Sequence, residues 1–228
     1  MNSRFFLLST VAASICLTSA ANAQVTKTGN AYSFRIRFVA GSVIKYKAVV
    51  GTTLSSAQQN LRVVYPVVQT VVGVHHGVGD VVVKSGPMQI NNQTVGPEGT
   101  FRMQVDQRGK LVGGQIAANS GITTFPEKPI RPGQTWTASV PIAAAGINSS
   151  GAMVSTTYRF VRMTTFAGKS VAELALSFKA HGAMTVTGTG TAYVLAKDGN
   201  IVHSKMSMGV ALGANSDPMS VNVEVSRS

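Results

Sequence analysis

Apolar and polar residues alternate with period two along most of this chain, and such a pattern can bury only one face of a sheet. Phe34, Ile36 and Phe38 fall on one side, with Arg35 and Arg37 on the other. Ile44, Tyr46 and Ala48 oppose Lys45 and Lys47, and Leu174, Leu176 and Phe178 oppose Glu173, Ser177 and Lys179. Val202, Met206, Met208, Val210 and Leu212 oppose His203, Lys205 and Ser207; Met219, Val221, Val223 and Val225 oppose Ser220, Asn222 and Glu224. Glycine-based turns punctuate these runs: Val39-Ala40-Gly41, Gly77-Val78-Gly79-Asp80, Arg108-Gly109, Ala167-Gly168 and Asp198-Gly199. Gly109 and Gly199 are candidates for positive φ. The only helical candidates are Ser55 to Leu61 and Gly114 to Asn119, both short, uncapped and equally readable as strand or loop. The expected fold class is all-β. It is a curved antiparallel sheet, a half-barrel or β-sandwich, of about a dozen strands with minimal helix.

Residues 1–23 stand outside this pattern. Arg4 is followed by an apolar run from Phe5 to Leu17 and then by Ala21-Asn22-Ala23. That is the layout of a secretory signal peptide cleaved after Ala23, and the apolar run is too short to span a bilayer. The expectation is a mature single β domain over 24–228, exported to the periplasm or the medium. Cys16 is the only cysteine and lies in this leader, so no disulfide or thiolate chemistry is expected of the mature chain. Ala13-Ser14-Ile15 before it is a poor match to a lipidation site.

The formal charge of +12 falls to +11 once Arg4 is removed. A charge of that size raises the local concentration of anionic envelope components, although it also serves solubility alone. The cations are dispersed from Lys27 to Arg227 without a run, which points away from a dedicated docking patch. Nucleic acid is not an expected partner, because no basic stripe is interleaved with aromatics. The chain also lacks aromatic girdles and ends in Arg227-Ser228, unlike a membrane barrel, so it is not expected to span a membrane.

Two turn signals recur. Gly41 and Gly109 in the first half find counterparts in Gly133 and Gly199, offset by 92 and 90 residues. The recurrence is either a duplication, with halves 30–123 and 124–228, or the chance return of glycine turns common to β folds. Between the halves runs Thr124 to Trp136, in which Pro126, Pro129 and Pro132 remove three backbone donors. Such a stretch cannot lie mid-sheet and reads as an extended crossover, either a stiff connector or a lip beside a cavity.

Three segments carry a resemblance. Phe38-x-x-Gly41-x-x-x-x-Tyr46, Val105-Asp106-x-x-Gly109-x-Leu111-Val112 and Phe125-Pro126-x-Lys128-Pro129-Ile130-x-Pro132-Gly133-Gln134-Thr135-Trp136 resemble a group of uncharacterised secreted bacterial β proteins. Those are similar in turn to the half-barrels of periplasmic lipoprotein carriers, in which a curved sheet cups an acyl chain. The resemblance implies a curved sheet and a role with a hydrophobic ligand, and it carries over no catalytic residue. Lipoprotein carriers close their mouth with helices, for which this chain supplies at most one weak candidate.

No constellation names a reaction. His75 and His76, adjacent on a strand, would point to opposite faces and so could not share a metal. Ser42-Val43-Ile44-Lys45 and Lys27-Thr28-Gly29 echo penicillin-recognising enzymes in the wrong order and without the required helix. Ala167-Gly168-Lys169-Ser170 ends like a phosphate loop, but Met163 occupies its first glycine position. No catalytic residue, metal site or cofactor is expected, and the chain reads as non-enzymatic. The candidate ligand-binding set is Phe34, Phe38, Leu176, Phe178, Met206 and Met208, whose apolar faces could line one concave surface for a lipid-like ligand. Methionine suits an adaptable cavity, and equally an ordinary core. The alternative is a protein with a filled interior that binds a macromolecular partner.

Overall fold

The structure is a computed structural model and describes residues 22–54, 59–90, 93–96, 98–114, 124–141, 153–181, 185–196, 201–211 and 219–228. The leader up to residue 21, the turn at Gly199, Leu212, Met184 and most of both helical candidates lie outside the described residues. Gln59 to Leu61, from the first helical candidate, instead open a long strand, where Leu61 pairs with Thr52. Gly114, from the second, ends a strand.

Fifteen strands are described. They are β1 (Asn22–Thr28), β2 (Ala31–Arg37), β3 (Val43–Leu54), β4 (Gln59–His75), β5 (Val78–Ser85), β6 (Met88–Ile90), β7 (Gln93–Val95) and β8 (Gly99–Val105). There follow β9 (Leu111–Gly114), β10 (Thr135–Pro141), β11 (Met153–Phe166), β12 (Lys169–His181), β13 (Thr185–Leu195), β14 (Ile201–Ala211) and β15 (Met219–Arg227). β1 and β2 form a separate hairpin. The other thirteen make one open antiparallel sheet in the order β10-β11-β12-β13-β14-β15-β3-β4-β5-β8-β9, with β6 on β4 and β7 on β6. The sheet is curved like a half-barrel, and the all-β expectation holds. Among the described residues no helix is long and apolar enough to cross a membrane. The expected cleavage point after Ala23 falls within β1, between residues paired to Ile36 and Arg35.

Register turns the alternation into two faces. Tyr158, Leu176, Gly190, Met206, Val223, Val50 and Val63 form one row across β11, β12, β13, β14, β15, β3 and β4. This row and its parallels carry the core, because a pleated strand sends every second side chain to the same side. Two positions in β13 need glycine. A Cβ on Gly188 would stand 2.4 Å from the Ser207 carbonyl oxygen, and one on Gly190 would stand 2.7 Å from that of Lys205. Their missing side chains also make room for Met208 and Met206, so β13 lies close against β14.

The hairpin and the proline-rich crossover pack together on the inner face. Tyr32 and Ile130 exchange both backbone hydrogen bonds, Phe125 N–H donates to Arg108, and Ile36 N–H donates to Gln107. Arg35 donates to the carbonyls of Pro126 and Glu127, and Trp136 Nε1 donates to Thr124. Phe34, 0% exposed, sits at the centre, 5.5 Å from Phe125 and 5.3 Å from Phe160 between ring centroids. The crossover is thus a strap seated on the core.

The turn anchors are built as follows. Gly109 has φ 83° as expected, in a loop where the Asp106 carboxylate accepts from the N–H groups of Arg108 and Lys110 at 2.8 Å. Gly41 (φ 81°) donates to Val71, which donates back to Ser42; Gly133 (φ 89°) donates to Phe160, which donates back to Gln134. A register shift follows Val71 and another follows Phe160, so the two anchors share one construction. The β4–β5 turn lies one step earlier than the glycine pattern indicates. His76 and Gly77 take the positive φ values, whereas Gly79 sits in β5 because the Phe38 ring occupies the space of its missing Cβ.

Candidate functional site

The six sequence-selected residues fall within one apolar cluster on the inner face. Phe34, Phe178, Met206 and Met208 are buried, and Leu176 and Phe38 are partly buried against them. Thr156–Phe178–Gly188–Met208 and Tyr158–Leu176–Gly190–Met206 are neighbouring cross-strand rows, so four of the six are brought together. Phe34 and Phe38 belong to another part of the cluster: Phe34 packs under the strap, and Phe38 lies over Gly79 in β5.

The outer face has a different chemistry, which a residue-by-residue reading missed. Thr137, Thr157, Ser177, Thr189, Ser207 and Asn222 form a continuous polar row across β10 to β15, leading to Gly51 and then Arg62. The parallel row runs Ser139, Ser155, Lys179, Thr187, Gly209, Ser220 and Thr53. At Gly51 the face opens into a hollow of about 340 Å³, lined among others by Gly51, Arg62, Lys205, Asn222 and Glu224. A Cβ built on Gly51 would meet nothing within 4 Å, so bare peptide forms the floor. The available signal was the glycine interrupting the outward series Lys45, Lys47, Val49, Thr53.

Three charged contacts stand out on this face among the described residues. Arg102 Nε donates to Asp80 at 2.7 Å, and its Nη2 closes the fork on the same carboxylate. This hydrogen bond, opposed by partial burial, holds the Asp80 carboxyl below its ordinary range. Arg162 donates to Glu173 at 3.0 Å. His203 stacks on Phe166 at 5.3 Å and approaches both Ser226 Oγ (3.1 Å) and Glu224 Oε1 (4.0 Å) through the same Nδ1. A serine–histidine–acid relay needs the two partners on opposite ring nitrogens, so these three do not form one. His75 ends β4 and His76 leaves the strand in the turn, which corrects the picture of two strand histidines on opposite faces. Among the described residues no group of three metal-binding side chains converges.

No family model matches the sequence, and neither does any curated protein. Among solved structures, a candidate exported protein with a YmcC-like fold from Bacteroides fragilis aligns at 12% identity and a TM-score of 0.37, over 84% of this chain and 97% of its own. A candidate lipoprotein from Parabacteroides distasonis aligns at 11% identity and a TM-score of 0.35, over 83% and 96%. The hypothetical lipoprotein YmcC of Escherichia coli aligns at 13% identity and a TM-score of 0.30, over 79% and 86%. Likenesses this distant transfer no residue role to this chain.

Proposed function

We propose that this chain is an exported, non-catalytic envelope protein that binds a macromolecular envelope component through the outer face of its sheet. The observation that carries the reading is the occupied inner face: Phe34 is fully buried beneath Phe125 and Phe160, where a carrier would hold its ligand. The outer face then offers the recognition surface, with rows of hydroxyls that can each donate and accept a hydrogen bond. Export rests on the leader-like residues 1–23, and attraction to an anionic envelope on the basic excess.

Expression with its own leader tests the first part. The protein should be recovered outside the cytoplasm with Gln24 at its N-terminus, and an uncut chain in the cytoplasm overturns export. The mature protein should then cosediment with washed envelopes, less so as salt rises. A second reading, carriage of an acyl chain, is favoured by the gathering of Leu176, Phe178, Met206 and Met208 in adjacent rows. Native mass spectrometry separates the two. A bare protein mass fits the first reading; a bound mass lost on organic extraction, with displacement of a fluorescent fatty acid, replaces it with the second.

A further inference from the structure

We infer that the hollow over Gly51 is a binding site for a compact hydroxylated anion, a carboxylate or phosphate monoester on a polyol. The floor is the half-buried β3 backbone at Gly51, flanked directly by Asn222 of β15 and Arg62 of β4. One step along, Lys205 faces Glu224 across the β14–β15 pair. At about 340 Å³ the hollow lies at the small end of ligand sites, suited to one sugar-sized unit and not to a long chain.

Its charges set the ligand class. Arg62 and Lys205 are both exposed, and among the described residues no ion pair engages either. Glu224 supplies the single opposing carboxylate, leaving one positive charge in excess. A guanidinium presents a flat fork that takes a carboxylate or phosphate through two parallel hydrogen bonds. Glu224 accepts from hydroxyls, and the Asn222 amide both donates and accepts, so a ligand carrying hydroxyls beside its anionic group uses more of the site than inorganic phosphate does. The half-buried Val49 at the edge gives an apolar surface for the ring or carbon chain. The site therefore reads both halves of such a ligand. This deepens the proposed function by naming the chemistry recognised at one point of the outer face, and it rests on that reading only for where the ligand comes from.

Backbone amide NMR of the leader-cleaved protein tests it, with glucuronate, glycerol 3-phosphate, glucose and inorganic phosphate as probes. Glucuronate or glycerol 3-phosphate should shift the amides around Gly51, Arg62 and Asn222, and the tighter of the two separates a glycan source from a lipid headgroup. Arg62→Gln should weaken binding about tenfold, as loss of a charge-assisted pair does. Gly51→Val fills the floor in a strand-compatible way and should abolish the shifts while leaving the fold intact. Thr137→Val, far along the same face, should change nothing. Absence of shifts, an equal response to inorganic phosphate, or full binding by Gly51→Val overturns the inference. Envelope cosedimentation is read separately. If wild type fails to cosediment while glucuronate still binds, the broader reading falls and the site stands; if Gly51→Val cosediments but wild type shows no probe binding, the reverse holds.

Discussion

Replacing Phe34 by Ala asks whether the inner face is a permanent core or a cover that can lift. Phe34 is 0% exposed and touches three aromatic rings: Phe125 at 5.5 Å, Phe160 edge-on at 5.3 Å and Trp136 at 6.1 Å. Removing a buried phenyl group typically costs about 3–5 kcal/mol, cavity included. The high end is expected here, since each aromatic pair contributes about 0.5–1.5 kcal/mol beyond area burial. For a chain of this size that corresponds to a fall in Tm of about 6–20 °C. Trp136 is the only tryptophan, stacks on Tyr158 at 5.1 Å and donates to Thr124, so its fluorescence reports on the seam between the strap and the edge strand β10, while far-UV circular dichroism reports on the sheet as a whole. In urea the two signals should change together in wild type, with the variant's midpoint shifted to lower denaturant at an unchanged slope. A loss below about 1 kcal/mol, or a wild-type Trp136 transition well ahead of the sheet, would show that hairpin and strap are a movable cover, and the filled-core argument would fail.

Gly188→Ala should destabilise the protein by about 1–3 kcal/mol, because its new methyl meets the Ser207 carbonyl and the Met208 Cα, neither of which can rotate away. Gly51→Ala, facing open space, should leave the chemical-denaturation midpoint unchanged or raise it. Equal losses for both would mean that β13 does not approach β14 as described. The Asp80–Arg102 pair gives a pH signature. Its hydrogen bond holds the folded carboxyl below the unfolded value, so its stabilisation is present above about pH 4 and is lost as pH falls through the folded pKa. The gap in unfolding midpoint between wild type and Asp80→Asn should be small, steady near neutrality and closing in acid; a gap that widens on acidification contradicts the assignment.

Much of the fold was legible because alternation is a local property. Phe34 and Ile36, Ile44 and Tyr46, Met206 and Met208, and Val221 and Val223 all face the core, as their spacing indicates. Neighbour relations were not legible, since period two tells which way a side chain points and not which strand lies beside it. The β15–β3 pairing and the outer hydroxyl rows exist only once six registers are known. Gly188 and Gly190 look like weak points within Thr187-Gly188-Thr189-Gly190-Thr191, and only the carbonyls of Ser207 and Lys205 explain them. The strap's prolines correctly kept it out of the sheet, but nothing in them revealed the seat on Phe34. The apolarity of Phe34, Phe38, Leu176, Phe178, Met206 and Met208 marks the inner face without distinguishing a lining from a filling.

The last of the described strands lies in the middle of the sheet. β15 is hydrogen-bonded to β14 on one side and to β3 on the other, so residues 219–227 join the two meanders. Contacts this distant in sequence form slowly, because a long loop must close before they stabilise anything. The sheet therefore cannot be completed during N-to-C-terminal synthesis until residues 219–227 are free to pair. Until then Val50 of β3 lacks its partner Val223, and an unpaired strand edge invites association with other chains. The order of strands thus ties closure of the sheet to the arrival of β15: the two meanders stay unjoined until residues 219–227 are in place.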